Sequence, residues 1–360
     1  MSRVLVARLD TMGEVLVSGP ALRAVANGIR TDGSRPNDVV LLCGPEGADA
    51  GEMLPGVTAV YTWSSPWNGN RSPAATAGVT NDLLEFVRSS RIEEAVILTS
   101  SHQSPLPLAM LLRLAGVRRI TGAATDGAGT LLDVRLTPGE DFPEDQAEAV
   151  RALAIARAAG FDLPHGDDGK LHINPEPDDL VTELSDEGPY IVVHPGTAAP
   201  ARAWPVLHHA ATVELLEADG HRVVVTGGQA EASLTATVAG PSATNLGGRT
   251  SLRTLATLLE GAAVVVTGDT GPAHLAAAVG TPVVCLFSPV VPAIRSAPYG
   301  VPMELLGDQE AACKGTRARR CPVPGHPCLS SVSPDQVLEA VKRLLGGVSS
   351  LATRRTVRNP

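Results

Sequence analysis

Short runs of β-branched residues alternate with longer Ala- and Leu-rich segments, and this alternation limits the fold more than any other feature of the sequence. It is typical of parallel sheets whose faces are covered by helices. The pattern starts with a predicted strand at Val4–Ala7, stops in the Pro-, Asp- and Gly-rich stretches Pro164–Gly169 and Pro175–Gly188, and restarts at Tyr190–His194. The 360 residues also exceed the roughly 250–300 at which a single core stops growing. We therefore predict two doubly wound α/β domains that face each other across a cleft, with the two stretches as the linker.

The predicted elements follow this alternation. In the first half we predict further strands at Asp38–Leu42 and Ala95–Thr99, and helices at Gly19–Asn27, Asn81–Arg88, Pro107–Ala115 and Glu144–Ala159. In the second half we predict strands at Arg222–Thr226, Ala263–Thr267 and Pro282–Phe287, and helices at Val206–Ala218, Ala230–Ala239, Gly271–Val279 and Pro334–Leu345. The predicted domains are residues 1–175 and 176–333, followed by a closing helix, 334–348, which Ser333 caps, and a frayed tail, 349–360. The Ser-, Pro- and Gly-rich stretch Trp63–Gly78 is predicted to be a mobile loop.

The composition excludes several classes of function. The formal net charge is −9 and aromatic residues make up 3% of the chain, so neither the basic patches nor the stacking platforms of nucleic-acid-binding proteins are expected. The apolar runs are shorter than the about 20 residues that a membrane-spanning helix needs. The N-terminus lacks the apolar stretch of a secretory signal. We expect a cytoplasmic protein without a transmembrane segment, and peripheral membrane contact stays open.

The most specific motif is the run Thr267–His274, which follows a predicted strand directly and opens a predicted helix. The free N–H groups of Thr270, Gly271 and Ala273 would form a cradle for a diphosphate at the positive end of that helix. Asp269 is placed to accept hydrogen bonds from sugar hydroxyls, and His274 lies one turn into the helix. The alternative is a capped helix of any α/β protein, with Thr270 as its cap.

Two further turns of the second half follow predicted strands. In the first, Thr197 and Arg202 are candidates to bind phosphate oxygens, and Arg202 would replace a metal ion as the counter-charge of a leaving diphosphate. The alternative is a solvated arginine, with Trp204 as a packing anchor. In the second, Glu231 is a candidate ligand of a ribose hydroxyl, but an acidic residue in a first helical turn is also favoured by the helix dipole.

A turn near the N-terminus, which contains Asp10, Thr11, Gly13 and Glu14, follows the first predicted strand. Glu14 is the candidate general base for an acceptor hydroxyl, and Asp10 is its rival on the same turn. The alternative for both carboxylates is the electrostatics of a helix terminus.

Cys313, Cys321, His326 and Cys328 have the residue types of a zinc site but not its usual paired spacing. We favour reduced structural thiols, with metal binding as the alternative. Five cysteines, an odd number spread along the chain, imply no disulfide framework.

Together the four turns resemble glycosyltransferase family 9, the ADP-heptose heptosyltransferases of the GT-B fold, from Val4 to Leu345. The matching segments are Arg8–Leu16, His194–Gly196, Arg202–Pro205, Val225–Gly228, Asn245–Leu252, Gly268–Pro282 and Ser331–Leu345. The resemblance implies an inverting, metal-independent transfer of a heptose-like sugar from a nucleoside diphosphate, with ADP-heptose as the expected donor, to a hydroxyl of a glycan or small molecule. No cofactor is implied, the N-terminal domain would hold the acceptor, and the C-terminal domain would hold the donor.

In that picture Glu14 takes the acceptor proton, Arg202 and the Thr270–Gly271 helix terminus stabilise the departing diphosphate, and Asp269 orients the sugar. The family usually has Asp where this chain has Glu14, and the additional methylene moves the carboxylate by roughly 1–1.5 Å. That departure motivates one alternative, a degenerate protein that binds a sugar nucleotide without transferring it. A second alternative is a sugar-nucleotide epimerase of the GT-B type.

Overall fold

The computed structural model describes residues 3–27, 38–68 and 72–356, with side chains as far as residue 347. The chain divides between Asn174 and Pro175 into two compact units, the N-terminal unit and the C-terminal unit. Each unit contains one six-stranded sheet in which all strand pairs are parallel. This arrangement confirms the predicted α/β class.

The N-terminal unit has the strand order β3-β2-β1-β4-β5-β6. Its strands are β1 (Arg3–Arg8), β2 (Asp38–Cys43), β3 (Ala59–Thr62), β4 (Ile92–Ile97), β5 (Arg119–Ala123) and β6 (Val134–Leu136). Its helices are α1 (Met12–Val17), α2 (Gly19–Asn27), α3 (Ala48–Glu52), α4 (Ala77–Ser89), α5 (Leu106–Ala115) and α6 (Glu148–Ala158). The chain reverses its direction of winding between β1 and β4, the neighbouring strands at the centre of the sheet.

The C-terminal unit repeats this topology with the order β12-β11-β10-β7-β8-β9. Its strands are β7 (Tyr190–His194), β8 (Arg222–Val225), β9 (Thr244–Asn245), β10 (Val264–Gly268), β11 (Val283–Leu286) and β12 (Met303–Leu306). Its helices are α7 (Asp179–Asp186), α8 (Val206–Ala218), α9 (Ala232–Ala239), α10 (Leu252–Gly261), α11 (Gly271–Ala278), α12 (Ala293–Ser296), α13 (Pro327–Ser330) and α14 (Pro334–Thr356). Here the reversal lies between β7 and β10.

The central strands are uninterrupted apolar runs because helices cover both faces of each sheet. β7 and β10 are buried at every position, and β1 at every position after Arg3. None of the helices in the described ranges is long and apolar enough to cross a bilayer.

The division between Asn174 and Pro175 lies between the two stretches of the predicted linker, but each stretch is built into one unit. In the first, Asp167 accepts two hydrogen bonds from the buried Arg23 of α2, at 2.7 and 2.8 Å, so the stretch is fixed to the N-terminal unit. The Arg23 hydrogen bonds lower the pKa of Asp167 below its usual range. The second stretch contains α7, which Asp178 caps through the N–H of Leu180.

Two other predictions differ at their ends. The strand predicted at Ala95–Thr99 is observed as β4, Ile92–Ile97, because Glu93 and Glu94 interrupt the apolar pattern at its start. The closing helix begins with the predicted cap, since the N–H of Gln336 donates to Ser333 Oγ at 3.2 Å, but it extends to Thr356. The last two residues of the stretch predicted as a loop, Trp63–Gly78, belong to the first turn of α4. Residues 69–71 of this stretch lie outside the described residues.

Candidate active site

The candidate residues of the C-terminal unit lie where ligands bind in doubly wound sheets. Such sheets take their ligands outside the carboxyl ends of the strands, at the point where the winding reverses. β7 and β10 are paired there, with Thr267 opposite His194. The turns that follow these two strands carry Thr197, Arg202 and Asp269.

Arg202 and Asp269 form an ion pair at this position. Arg202 Nη1 lies 3.1 Å from Asp269 Oδ2, and the two side chains are 30% and 4% exposed. Gly268 permits the close approach of the two turns, because a Cβ atom there would lie 3.1 Å from Thr197 Cγ2 and 3.4 Å from the carbonyl oxygen of Arg202. The structure thus brings three of the predicted donor-site residues together.

Thr197 already uses its hydroxyl hydrogen within the turn. Its Oγ1 donates to the carbonyl oxygen of Ala199 at 3.1 Å. A phosphate oxygen would accept from this hydroxyl only if that bond broke. The predicted binding of phosphate by Thr197 therefore requires its hydroxyl to turn away from Ala199.

The N-terminus of α11 is less open than the sequence suggests. Thr270 occupies the N-cap position, but its side chain makes no capping hydrogen bond. The N–H of Ala273 is not free as predicted, because it donates to the carbonyl oxygen of Thr270 at 3.0 Å. Pro272 contributes no N–H group, so Thr270 and Gly271 keep the first donors of this terminus. His274 is half-buried one turn further along.

Glu231 supports the neighbouring turn. Its Oε2 accepts from the N–H of Gly228 at 2.8 Å, which is the helix-terminus role that the sequence offered as the alternative. A Cβ atom at Gly196 would clash with this carboxylate, so the glycine lets the two turns pack directly. Beneath them, His194 Nδ1 is 3.0 Å from Thr226 Oγ1, and burial lowers the pKa of His194 to about 4, against an opposing effect of the Glu231 charge.

Residues of the segment 314–332 form hydrogen bonds to the backbone of the turn that carries Arg202. Arg319 donates to the carbonyl oxygen of Ala198 at 3.1 Å, and its own carbonyl oxygen accepts from Ala201 N–H at 3.0 Å. His326 Nε2 lies 3.0 Å from the carbonyl oxygen of Ala201. Trp204 is buried and donates to the carbonyl oxygen of Val332 at 3.2 Å, so it is a packing anchor.

The cysteines of this segment belong to the core. Cys313 and Cys328 are buried in the hydrophobic cluster of the C-terminal unit, and Cys321 packs against it. Burial raises the pKa of the Cys328 thiol to about 11. Within the described ranges, no group of three or more His, Cys, Asp or Glu side chains is arranged to hold a metal ion.

In the N-terminal unit the predicted base lies on the short helix α1. Thr11 is its N-cap residue and Glu14 lies in its first turn, next to the buried Gly13. Thr11 Oγ1 donates to Glu14 Oε2 at 2.5 Å. The Glu14 side chain is partly exposed, so its carboxylate keeps contact with solvent.

Asp10, the rival base, is held in a network that the sequence did not indicate. Arg8 Nε lies 2.8 Å from Asp10 Oδ2, while Asn68 and Gln103 both donate to Asp10 Oδ1. Arg8 is 1% exposed and also donates to Ser100 Oγ at 2.7 Å. With both oxygens occupied, Asp10 is poorly placed to take a proton, and its role is to fix the turn. The sequence shows only an arginine directly after the apolar run Val4–Ala7, which does not by itself reveal the partners of Asp10.

Comparisons with known proteins agree with the geometry. The family profile of glycosyltransferase family 9 (heptosyltransferase) matches residues 96–325, more than half of the chain. Lipopolysaccharide heptosyltransferase 2 of Escherichia coli is 28% identical over 298 residues, which cover 76% of this chain and 81% of that protein.

Solved structures agree over nearly the whole chain. The glycosyl transferase family 9 protein of Veillonella parvula superposes with a TM-score of 0.75 at 17% identity, covering 96% of this chain and 97% of that one. E. coli heptosyltransferase WaaC, solved with ADP-2-deoxy-2-fluoro heptose, gives 0.66 at 19% identity, with 95% and 99% covered. The fold is therefore GT-B, and the chain belongs to glycosyltransferase family 9, the heptosyltransferase family.

Proposed function

We propose that this glycosyltransferase moves a heptose from ADP-heptose to a hydroxyl group of an acceptor, with inversion at the anomeric carbon and without a metal ion. The observation that carries the proposal is the Arg202–Asp269 pair beside the N-terminus of α11, at the winding reversal of the C-terminal sheet. WaaC, a structural relative, was solved with an ADP-heptose analogue, which supports the choice of donor.

In the proposed reaction the acceptor oxygen attacks the anomeric carbon from the face opposite the diphosphate. The bond from that carbon to the phosphate oxygen breaks, and ADP leaves with the electron pair. The acceptor proton passes to the Glu14 carboxylate, which Thr11 orients through its hydroxyl. Arg202 and the N–H groups at Thr270 and Gly271 stabilise the charge that develops on the diphosphate.

Asp269 has two roles in this proposal. Its carboxylate holds the Arg202 guanidinium in place before the donor binds. It also directly precedes Thr270, the N-cap residue of α11, where sugar hydroxyls would arrive. Arg202 supplies the counter-charge that a divalent cation would otherwise give, which is the reason for proposing a metal-independent reaction.

The proposal is tested by measuring ADP release from ADP-heptose, with and without a panel of hydroxyl acceptors, in magnesium and in EDTA. We expect release that depends on an acceptor and is unchanged by EDTA, with UDP- and GDP-linked sugars as the matched donor controls. Tight donor binding without release across the panel would favour a degenerate binding protein. Conversion of the nucleotide sugar without an acceptor would favour an epimerase.

A further inference from the structure

His326 adopts a left-handed backbone conformation beside the turn that carries Arg202. Its φ is 50° and its ψ is 49°, a region that disfavours every residue with a Cβ atom. Such conformations persist only where the surrounding structure holds them, and they are concentrated at functional sites. What holds His326 in this conformation, and what its side chain contacts, is therefore a guide to its function.

The backbone around His326 is fixed by hydrogen bonds and by the core. Its carbonyl oxygen accepts from the N–H of Ser330 at 3.0 Å. Two residues after it, Cys328 is buried in the hydrophobic cluster of the C-terminal unit, and the Cys328 carbonyl oxygen accepts from the N–H of Asp308 at 2.9 Å. A change of φ at His326 would disturb these contacts, so the direction of its imidazole is fixed.

The imidazole contacts the residue directly before Arg202. His326 Nε2 lies 3.0 Å from the carbonyl oxygen of Ala201, and because that oxygen can only accept, Nε2 donates. The N–H of Ala201 donates to the carbonyl oxygen of Arg319 at 3.0 Å. Ala201 is fully buried, and the segment 314–332 thus binds both of its backbone groups.

The same segment holds the residues that follow Arg202. Trp204 donates from Nε1 to the carbonyl oxygen of Val332 at 3.2 Å, and His208 Nδ1 lies 3.2 Å from the same oxygen. Arg202 stands between these anchored positions, and its side chain extends to Asp269, with Nη1 3.1 Å from Oδ2. The backbone position of Arg202, and with it the reach of the guanidinium, is set from both sides.

We propose that His326 is a positioning residue of the donor site, which fixes the Ala201 carbonyl and so presents the Arg202 guanidinium to the diphosphate of a nucleotide. The inference rests on the proposed function for the role of Arg202 itself. It gives a role to the histidine that the sequence groups with three cysteines. The alternative is a bond that only stabilises the fold, in which case His326 would act on stability and not through Arg202.

The test is a calorimetric titration of the full chain with ADP, without an acceptor. Arg202→Gln should weaken ADP binding about tenfold and His326→Ala about fivefold. The double variant should bind ADP within about twofold of Arg202→Gln, because His326 acts through that arginine. His326→Gln, whose amide can still donate to Ala201, should stay within about twofold of wild type. Additive losses in the double variant, or wild-type affinity in His326→Ala, would overturn the proposal.

A second comparison separates positioning from stability. His326→Gly and His326→Ala both remove the imidazole, but only glycine relieves the left-handed conformation. We expect His326→Gly to unfold about 2–4 °C above His326→Ala while both bind ADP equally weakly. Arg91→Gly is the control, because Arg91 of the N-terminal unit has a similar φ of 54°. It should keep the wild-type affinity for ADP. An affinity that recovers together with stability in His326→Gly would overturn the proposal.

The titration needs no turnover, so its result is independent of the assay of heptose transfer. Absence of acceptor-dependent ADP release, with the predicted non-additivity in ADP binding, would remove the transferase and retain His326 as a positioning residue. Acceptor-dependent release with additive losses in ADP binding would retain the transferase and overturn the role of His326.

Discussion

The Arg202–Asp269 pair concentrates the proposed chemistry of the C-terminal unit in two side chains. Asp269 is almost completely buried, so it depends on the guanidinium to compensate its charge, while Arg202 keeps about a third of its surface in solvent. A donor diphosphate would therefore meet an arginine that is already oriented.

Arg202→Gln should reduce kcat/KM for ADP-heptose by about 10²- to 10³-fold, because it removes the positive charge that stabilises the leaving diphosphate. Arg202→Lys should keep part of the activity, since the charge remains but the forked geometry is lost. Arg343→Gln, which breaks an ion pair with Glu304 in the same unit, is the control and should change kcat/KM by less than about twofold. Wild-type kcat/KM in Arg202→Gln would remove this arginine from the mechanism.

Thermal unfolding of the double variant Arg202→Gln/Asp269→Asn separates the stability cost of an unpaired carboxylate from the kinetic loss.

The sequence predicted which turns follow the central strands of each sheet, but not which polar atoms on those turns are free. Asp10 and Thr197 looked available because each stands on a turn after a strand. Their oxygens are engaged by residues distant in the chain or by the backbone of the same turn, such as Gln103 for Asp10 and Ala199 for Thr197. Spacing along the chain contains no signal for such partners. Thr99 shows the converse case, because only the folded structure reveals a buried hydroxyl without a partner.

At the level of elements, β7 and α8 place two histidines in the core of the C-terminal unit. Burial lowers the pKa of His194 to about 4. Burial, together with the nearby His194 and His208, lowers the pKa of His209 to about 3. Both values lie below the ordinary histidine value of 6.5. The unfolded chain therefore binds more protons than the folded chain at acid pH.

The free energy of unfolding should consequently have its full value above about pH 6.5. It should fall as the pH drops toward 4, by up to about 1.4 kcal/mol per pH unit for each histidine. His209→Gln should reduce this slope by the contribution of about one proton taken up on unfolding. Urea unfolding of the wild type and of His209→Gln at several pH values between neutrality and about pH 4.5 measures the slope. His165→Gln, at an exposed position of the N-terminal unit, is the control and should keep the wild-type slope. An unchanged slope in His209→Gln would contradict the account.

The central strands of the sheets were predictable, whereas five others were missed, namely β3, β5, β6, β9 and β12. β5 is buried after Arg119, but Thr121 and Gly122 interrupt its apolar pattern. β1, β7 and β10 are apolar runs buried on both faces. The missed edge strands β3 and β12 have no fully buried position, so their sequences lack the apolar pattern that identifies a strand. The helix α1 was missed because six residues are too few to establish a helical period.

For the whole molecule, the proposed function assigns proton transfer to the N-terminal unit and donor binding to the C-terminal unit. The repeated strand order supports this division, because each sheet has its own winding reversal and its own candidate residues there. A consequence is that a change at Glu14 should affect turnover and leave donor affinity unaltered. A change at Arg202 should instead affect the stabilisation of the departing diphosphate.

The decisive measurement is single-turnover ADP release together with the dissociation constant of ADP-heptose for Glu14→Gln, with Glu14→Asp as the variant that keeps a carboxylate. We expect Glu14→Gln to lose about 10²- to 10⁴-fold in rate while its donor dissociation constant stays within about twofold of wild type. Glu14→Asp should retain measurable turnover. Full activity in Glu14→Gln, or a loss of rate that is matched by a loss of donor affinity, would contradict the assignment of Glu14 as the base.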